Sequence, residues 1–202
     1  MLEKREYPMT RADAFALLAE YVHDAGLRRH MRAVEAAMRA CARKLGHDEE
    51  AWGLAGLMHD FDYERWPNPP DHPLKGSVIL RERGCPETVV YAILAHADYL
   101  QDQFPRIHPI DKALYACDEL TGLIVAAALV RPNGVQDLTA SSVKKKMKSK
   151  GFARTVNRDD IHRGVADFGV DLGEHIQFII DALKPHAAEL NLLAGTIADG
   201  ND

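Results

Sequence analysis

At four places in this chain an ionisable side chain sits where an apolar one belongs. An amphipathic helix keeps charge off the face it buries. Yet His30 is in register with Val34, Ala37 and Cys41, at three- and four-residue steps. His59 follows Trp52 and Gly56 at the same steps and is joined directly to Asp60. His96 continues the stripe of Val89 and Ile93 towards Leu100, and Asp118 falls between Leu114 and Thr121, in register with Val125. A charge buried alone is costly or loses its ionisation. Three histidines and two aspartates facing one interior would instead satisfy one another through a divalent cation. Imidazole nitrogen and carboxylate oxygen suit Fe, Mn, Co, Ni or Zn, and the lack of cysteine ligands argues against a structural zinc site. Taken singly, each residue has an ordinary alternative: a core histidine with one hydrogen bond, a buried or salt-bridged Asp118, or an Asp60 that caps the loop after its helix.

Helices must position these residues, because the dominant hydrophobic period is helical. The spacing predicts a helix over Arg11 to Val22, with Thr10 as N-cap, and a second from Leu27 to Leu45 closed by Gly46. Asp48 caps a third, from Glu49 to about His59. The segment from Asp62 to Asp71 reads as a loop, since its prolines remove backbone donors. Leu74 to Arg83 is expected as a fourth helix, closed by Gly84, and a fifth starts at Pro86 and reaches His96. A long sixth spans Asp111 to Val130. Beyond Arg131-Pro132-Asn133-Gly134 come a lysine-rich helix from Ser141 to Lys150, one from Arg158 to Phe168 capped by Asn157, and a last one capped by Asp171 that runs to about Leu193. No stretch alternates as a strand requires. The fold class is therefore all-α, a helical bundle. Three segments are expected: an N-terminal helix (1–26) packing on the core, a metal-binding core (27–131), and a basic segment with additional C-terminal helices (132–202), all within one domain.

Composition supports this frame. In 202 residues, 47% hydrophobic and 27% charged residues describe an ordinary globular chain, not a disordered one. Lys plus Arg number 25 and Asp plus Glu 30, a net charge of −5 that argues against a general nucleic-acid coat protein. Histidine is the outlier, at 10 residues. The charged N-terminus, MLEKREYPMT, has no apolar core and does not read as a signal peptide. No apolar run approaches the ~20 residues that span a bilayer. Cys41, Cys85 and Cys117 are far apart and read as reduced thiols of a cytoplasmic protein.

The order His30, then His59-Asp60, then Asp118, set in HMRAVEAAM, AGLMHDFDYE and ALYACDELTG, resembles the HD superfamily of metal-dependent phosphohydrolases. The resemblance covers roughly Leu27 to Val130. It implies an HD-type helical bundle in which these four residues hold a metal. His72 in DHPLKG and His96 in ILAHAD match the binuclear members, where two further histidines bind a second ion. Asp60 would then bridge both ions and act as the catalytic carboxylate. The implied cofactor is one or two divalent transition-metal ions. The implied activity is hydrolysis of a phosphoester, on a nucleotide or related small anionic metabolite, by metal-activated water. The whole chain looks most like stand-alone bacterial HD hydrolases. It lacks the Gly-Tyr-Pro signature of the cyclic-dinucleotide phosphodiesterases, which argues against that substrate. Two other readings share the ligand set: a diiron HD-type oxygenase, and a ligand-sensing domain without catalysis.

A phosphate needs cationic partners. Lys75 lies one helical step from His72, and Lys144, Arg154 and Arg158 belong to a run from Lys144 to Arg158 that holds no acid before Asp159. The guanidiniums are the better donors, because each offers a bidentate fork. The competing reading is a solvated basic face. Asp62 and Glu64 either orient a ligand histidine or a water, or are ordinary loop acids. Trp66 either stacks a base or packs a loop. His23, His47, His108, His162, His175 and His186 fall outside the motif.

Overall fold

In a computed structural model of the chain, residues 9–193 are described, so the first eight residues of MLEKREYPMT lie outside them. Nine α-helices and two short 3-10 turns follow one another, with no strand among the described residues. The chain groups into two compact units that divide between Leu114 and Tyr115. No helix among the described residues is long and apolar enough to cross a membrane.

The first unit begins with α1 (Arg11–Tyr21), whose start is fixed by a full capping box between Thr10 and Asp13. Helix α2 (Ala25–Leu45) starts two residues earlier than the hydrophobic pattern indicates. The Asp24 side chain takes the Leu27 amide and so draws the polar first turn into the helix. It ends at Gly46, whose φ of 72° only glycine adopts freely. Asp48 accepts from the amides of Glu50 and Ala51 and opens α3 (Glu49–Met58). Helix α4 spans Asp71–Glu82, but His72 within it is extended (ψ 135°). Proline at the next position forces this, so regular helix resumes where the pattern places it, near Leu74. Helix α5 (Glu87–His96) runs into a 3-10 turn at Asp98–Leu100.

Helix α2 packs along α3, which also meets α1 and α5, while α4 packs on α5. Small residues set the closest approach. A Cβ on Gly56 would stand 2.8 Å from the Val34 carbonyl oxygen and 2.9 Å from the Glu35 Cα. Buried Glu35 is the polar tie at this seam. Arg39 Nε donates to its Oε1 at 2.9 Å, Arg11 adds a fork, and Arg39 reaches on to Glu50 at 2.7 and 3.0 Å. One buried carboxylate thereby joins α1, α2 and α3.

Helix α6 (Pro109–Leu129) contains the division between units. The second unit continues with α7 (Ala140–Met147), α8 (Arg158–Phe168) and α9 (Leu172–Leu183). Helix α7 stops three residues short of Lys150, where Ser149 and Gly151 favour turns. Helix α9 stops ten residues short of Leu193, because Pro185 has no amide to donate and its ring would meet the preceding turn.

Gly56→Ala should destabilise the protein by about 1–3 kcal/mol, since the contacted atoms are backbone and cannot turn aside. Urea unfolding measures it, and a wild-type midpoint would show that the seam yields.

Candidate metal centre

Each candidate histidine of the first unit comes from a different element. His30 lies on α2, His59 caps α3, His72 sits in the extended residue before Pro73, and His96 ends α5. The register argument holds in space. Val34, Ala37 and Cys41 are buried beside His30, as are Trp52 before His59 and Val89 and Ile93 before His96.

All four rings turn Nε2 towards Asp60. Its Oδ2 lies 3.2 Å from His59 Nε2 and 3.7 Å from His30 Nε2. Its Oδ1 lies 3.3 Å from His72 Nε2 and 3.7 Å from His96 Nε2. The two carboxylate oxygens are thus divided between two histidine pairs. Ligand atoms of His30, His59 and Asp60 fall within 4.8 Å of one another, and so do those of Asp60, His72 and His96. Ligands sharing one ion at ~2.1 Å stand roughly 3 Å apart, so either group of atoms could hold a divalent cation.

The far side of the rings says which nitrogen is free to ligate. His59 Nδ1 donates to the Gly56 carbonyl at 2.9 Å, and His96 Nδ1 to that of Ile93. His72 Nδ1 donates to Asp62 Oδ1 at 2.7 Å. Carbonyls and carboxylates only accept, so these Nδ1 atoms carry hydrogen and each neutral ring presents a lone pair at Nε2. Lone pairs aimed at a carboxylate, and the Nε2 atoms of His30 and His59 only 3.2 Å apart, repel unless a proton or cation lies between them. Such a donor set suits divalent metals. Side-chain exposure of 21% at His30 and 17% at Asp60, against 0% at His59, leaves the centre open to solvent on one side.

Asp62 is fully buried and resolves the choice left open for it: it orients His72. Its other oxygen accepts the Gly76 amide at 2.9 Å, in space that a Cβ at Gly76 would occupy. Glu64 is a structural cap that takes the amides of His23 and Asp24. Trp66 packs beside Tyr21 with Lys75 over its ring, and Lys75 pairs with Asp71 at 2.8 Å. Two tyrosines went unread in the sequence: Tyr63 sets its ring edge-on to His72, and Tyr99 donates to the His72 carbonyl. No local pattern marks them, since both reach His72 only through the fold.

Asp118 lies on α6 in the second unit, half-buried. Lys144, Arg154 and Arg158 are in that unit too. Lys144 and Arg154 are exposed, and the Arg158 guanidinium donates to the carbonyls of Phe152, Ala153 and Val156.

A family model of the HD domain matches residues 27–128, just over half of the chain. The chain therefore belongs to the HD domain family, a superfamily of metal-dependent hydrolases. Searches of curated proteins and of solved structures found no match.

Electrostatics follow from the crowding. Burial pushes the Asp60 carboxyl up, but the His59 charge and the hydrogen bonds from His59, His72 and His96 outweigh it and hold Asp60 well below its usual range. Burial pushes His72 down, yet Asp60 and Asp62 raise it to about 9. Without metal, its proton stabilises the fold fully below about pH 6.5, the ordinary imidazole value, and that contribution is lost as pH rises through about 9. Urea midpoints of metal-free protein should fall across that window, and Asp62→Asn should flatten the fall. Asp62→Asn should also weaken metal affinity by roughly 10–100-fold. A midpoint independent of pH in the wild type would contradict the assignment.

Proposed function

We propose that this protein is a binuclear metal-dependent phosphohydrolase acting on a small phosphorylated metabolite. The observation that carries it is the Asp60 carboxylate, divided between His30 with His59 on one side and His72 with His96 on the other. In this reading Asp60 bridges two ions. Asp118 would complete the first ion's ligand set, as the resemblance implies from its place after His30 and His59-Asp60, within the matched residues. When bound, the cations would lower the pKa of water and neutralise charge on a phosphoryl oxygen.

The chain's own residues supply the rest. Asp62 holds His72 so that its Nε2 faces Asp60, and the carbonyls of Gly56 and Ile93 do the same for His59 and His96. This fixes the tautomers before substrate arrives and removes the cost of reorienting the rings. Lys75, Lys144, Arg154 and Arg158 are the proposed cationic partners of the substrate. Lys75 would exchange Asp71 for phosphate, and Arg158 would have to give up its carbonyls.

Assay against nucleotide and sugar-phosphate panels, with Mn²⁺ or Fe²⁺ supplied, tests the reading. Phosphate release should be abolished by chelation and by Asp60→Asn, with the helical circular dichroism unchanged. Oxygen consumption by the reduced iron form, without phosphate release, would overturn it in favour of an oxygenase. Activity that survives exhaustive chelation would overturn it outright.

A further inference from the structure

The second unit carries a concavity of about 450 Å³ lined by Arg131, Ser142, Lys145, Lys146 and Ser149. Four of these residues follow the helical repeat. Ser142, Lys145, Lys146 and Ser149 are spaced by three, one and three, so one face of α7 and the turn after it presents hydroxyl, ammonium, ammonium, hydroxyl. Val143 is buried on the other side and anchors the helix. Arg131, from the turn after α6, faces this row. Its Nε donates to Asp137 Oδ1 at 2.9 Å and its Nη2 to the Asp137 carbonyl, which fixes the guanidinium. Nη1 has no partner among the described residues. Lys146 rests its ammonium over Phe152, 4.5 Å from the ring centroid.

Three cations therefore line one concavity, and one of them, Arg131, is paired with the Asp137 carboxylate. Adjacent like charges repel, and a compact anion with two or more charges relieves that repulsion. The residues that line it carry ammonium, guanidinium and hydroxyl donors, the set that phosphate oxygens accept, on aliphatic stems, and none of these five residues is aromatic. Its volume is that of a small-molecule pocket, and its concave form favours a small ligand over a polymer lying on a surface.

We propose that this pocket is a second anion site that binds a phosphate or pyrophosphate group, separate from the metal centre and independent of whether that centre is loaded. Calorimetric titration of inorganic pyrophosphate into the full chain tests it, before and after treatment with a chelator. Saturable binding is expected in both states and should weaken at least about tenfold in Lys145→Ala/Lys146→Ala. Lys148→Ala/Lys150→Ala removes the same charge from residues outside the lining and should change the affinity less than about threefold. Ser142→Ala/Ser149→Ala should also weaken binding and serves if the lysine pair fails to fold. Absence of saturable binding would overturn the proposal, as would equal losses in the two lysine pairs, which would mean a diffuse field. Binding of oligoadenylate that pyrophosphate cannot displace would overturn it in favour of a polymer. Binding lost only with the chelator would assign the anion to the metal centre instead.

Discussion

A single carboxylate surrounded by four imidazoles is the constraint to which the first unit answers. Asp60 is largely shielded from solvent and too crowded by Nε2 lone pairs to be stable alone. Its negative charge persists only because positive charge is supplied, by protons on the rings or by cations among them. The same crowding that is costly in the empty protein becomes a ligand field once cations enter. Proton and metal compete for one set of lone pairs, so loading is coupled to pH.

The surrounding fold can be understood as the means of keeping four rings on that carboxylate. Gly56 lets α2 and α3 approach closely enough for His30 and His59 to meet. The Glu35 and Arg39 network holds the same seam with charge-assisted bonds. Proline after His72 denies it a helical conformation, and the extended backbone brings the ring between Asp60 and Asp62. His96 stands at the last turn of α5, where its Nδ1 takes an otherwise unsatisfied end carbonyl and leaves Nε2 free.

Much of this was legible in the residues. Helix caps at Thr10, Asp48, Asn157 and Asp171 and the stop at Gly46 are local chemistry, and each appears as the sequence indicates. His30, His59 and His96 announced themselves by interrupting apolar stripes, a signal that depends only on helical period. His72 had no stripe to interrupt, being extended, and was reached only through the family resemblance. Asp62 could not be told from a loop acid, because its partners, His72 and the Gly76 amide, lie 10 and 14 residues away across a proline-rich turn. The last helix is shorter than its pattern indicates because the apolar residues continue past Pro185, where Ala187, Leu190 and Leu192 stay buried in successive turns rather than in a continued α-helix.

The central claim is that Asp60 joins two metal ions. Metal content per chain, measured on protein refolded with Mn²⁺ or Fe²⁺, followed by anomalous diffraction at the metal edge, addresses it directly. Two ions per chain are predicted, one beside His30 and His59 and the other beside His72 and His96, with Asp60 between them. A single ion held by one histidine pair, with the other pair unliganded at saturating metal, would contradict it.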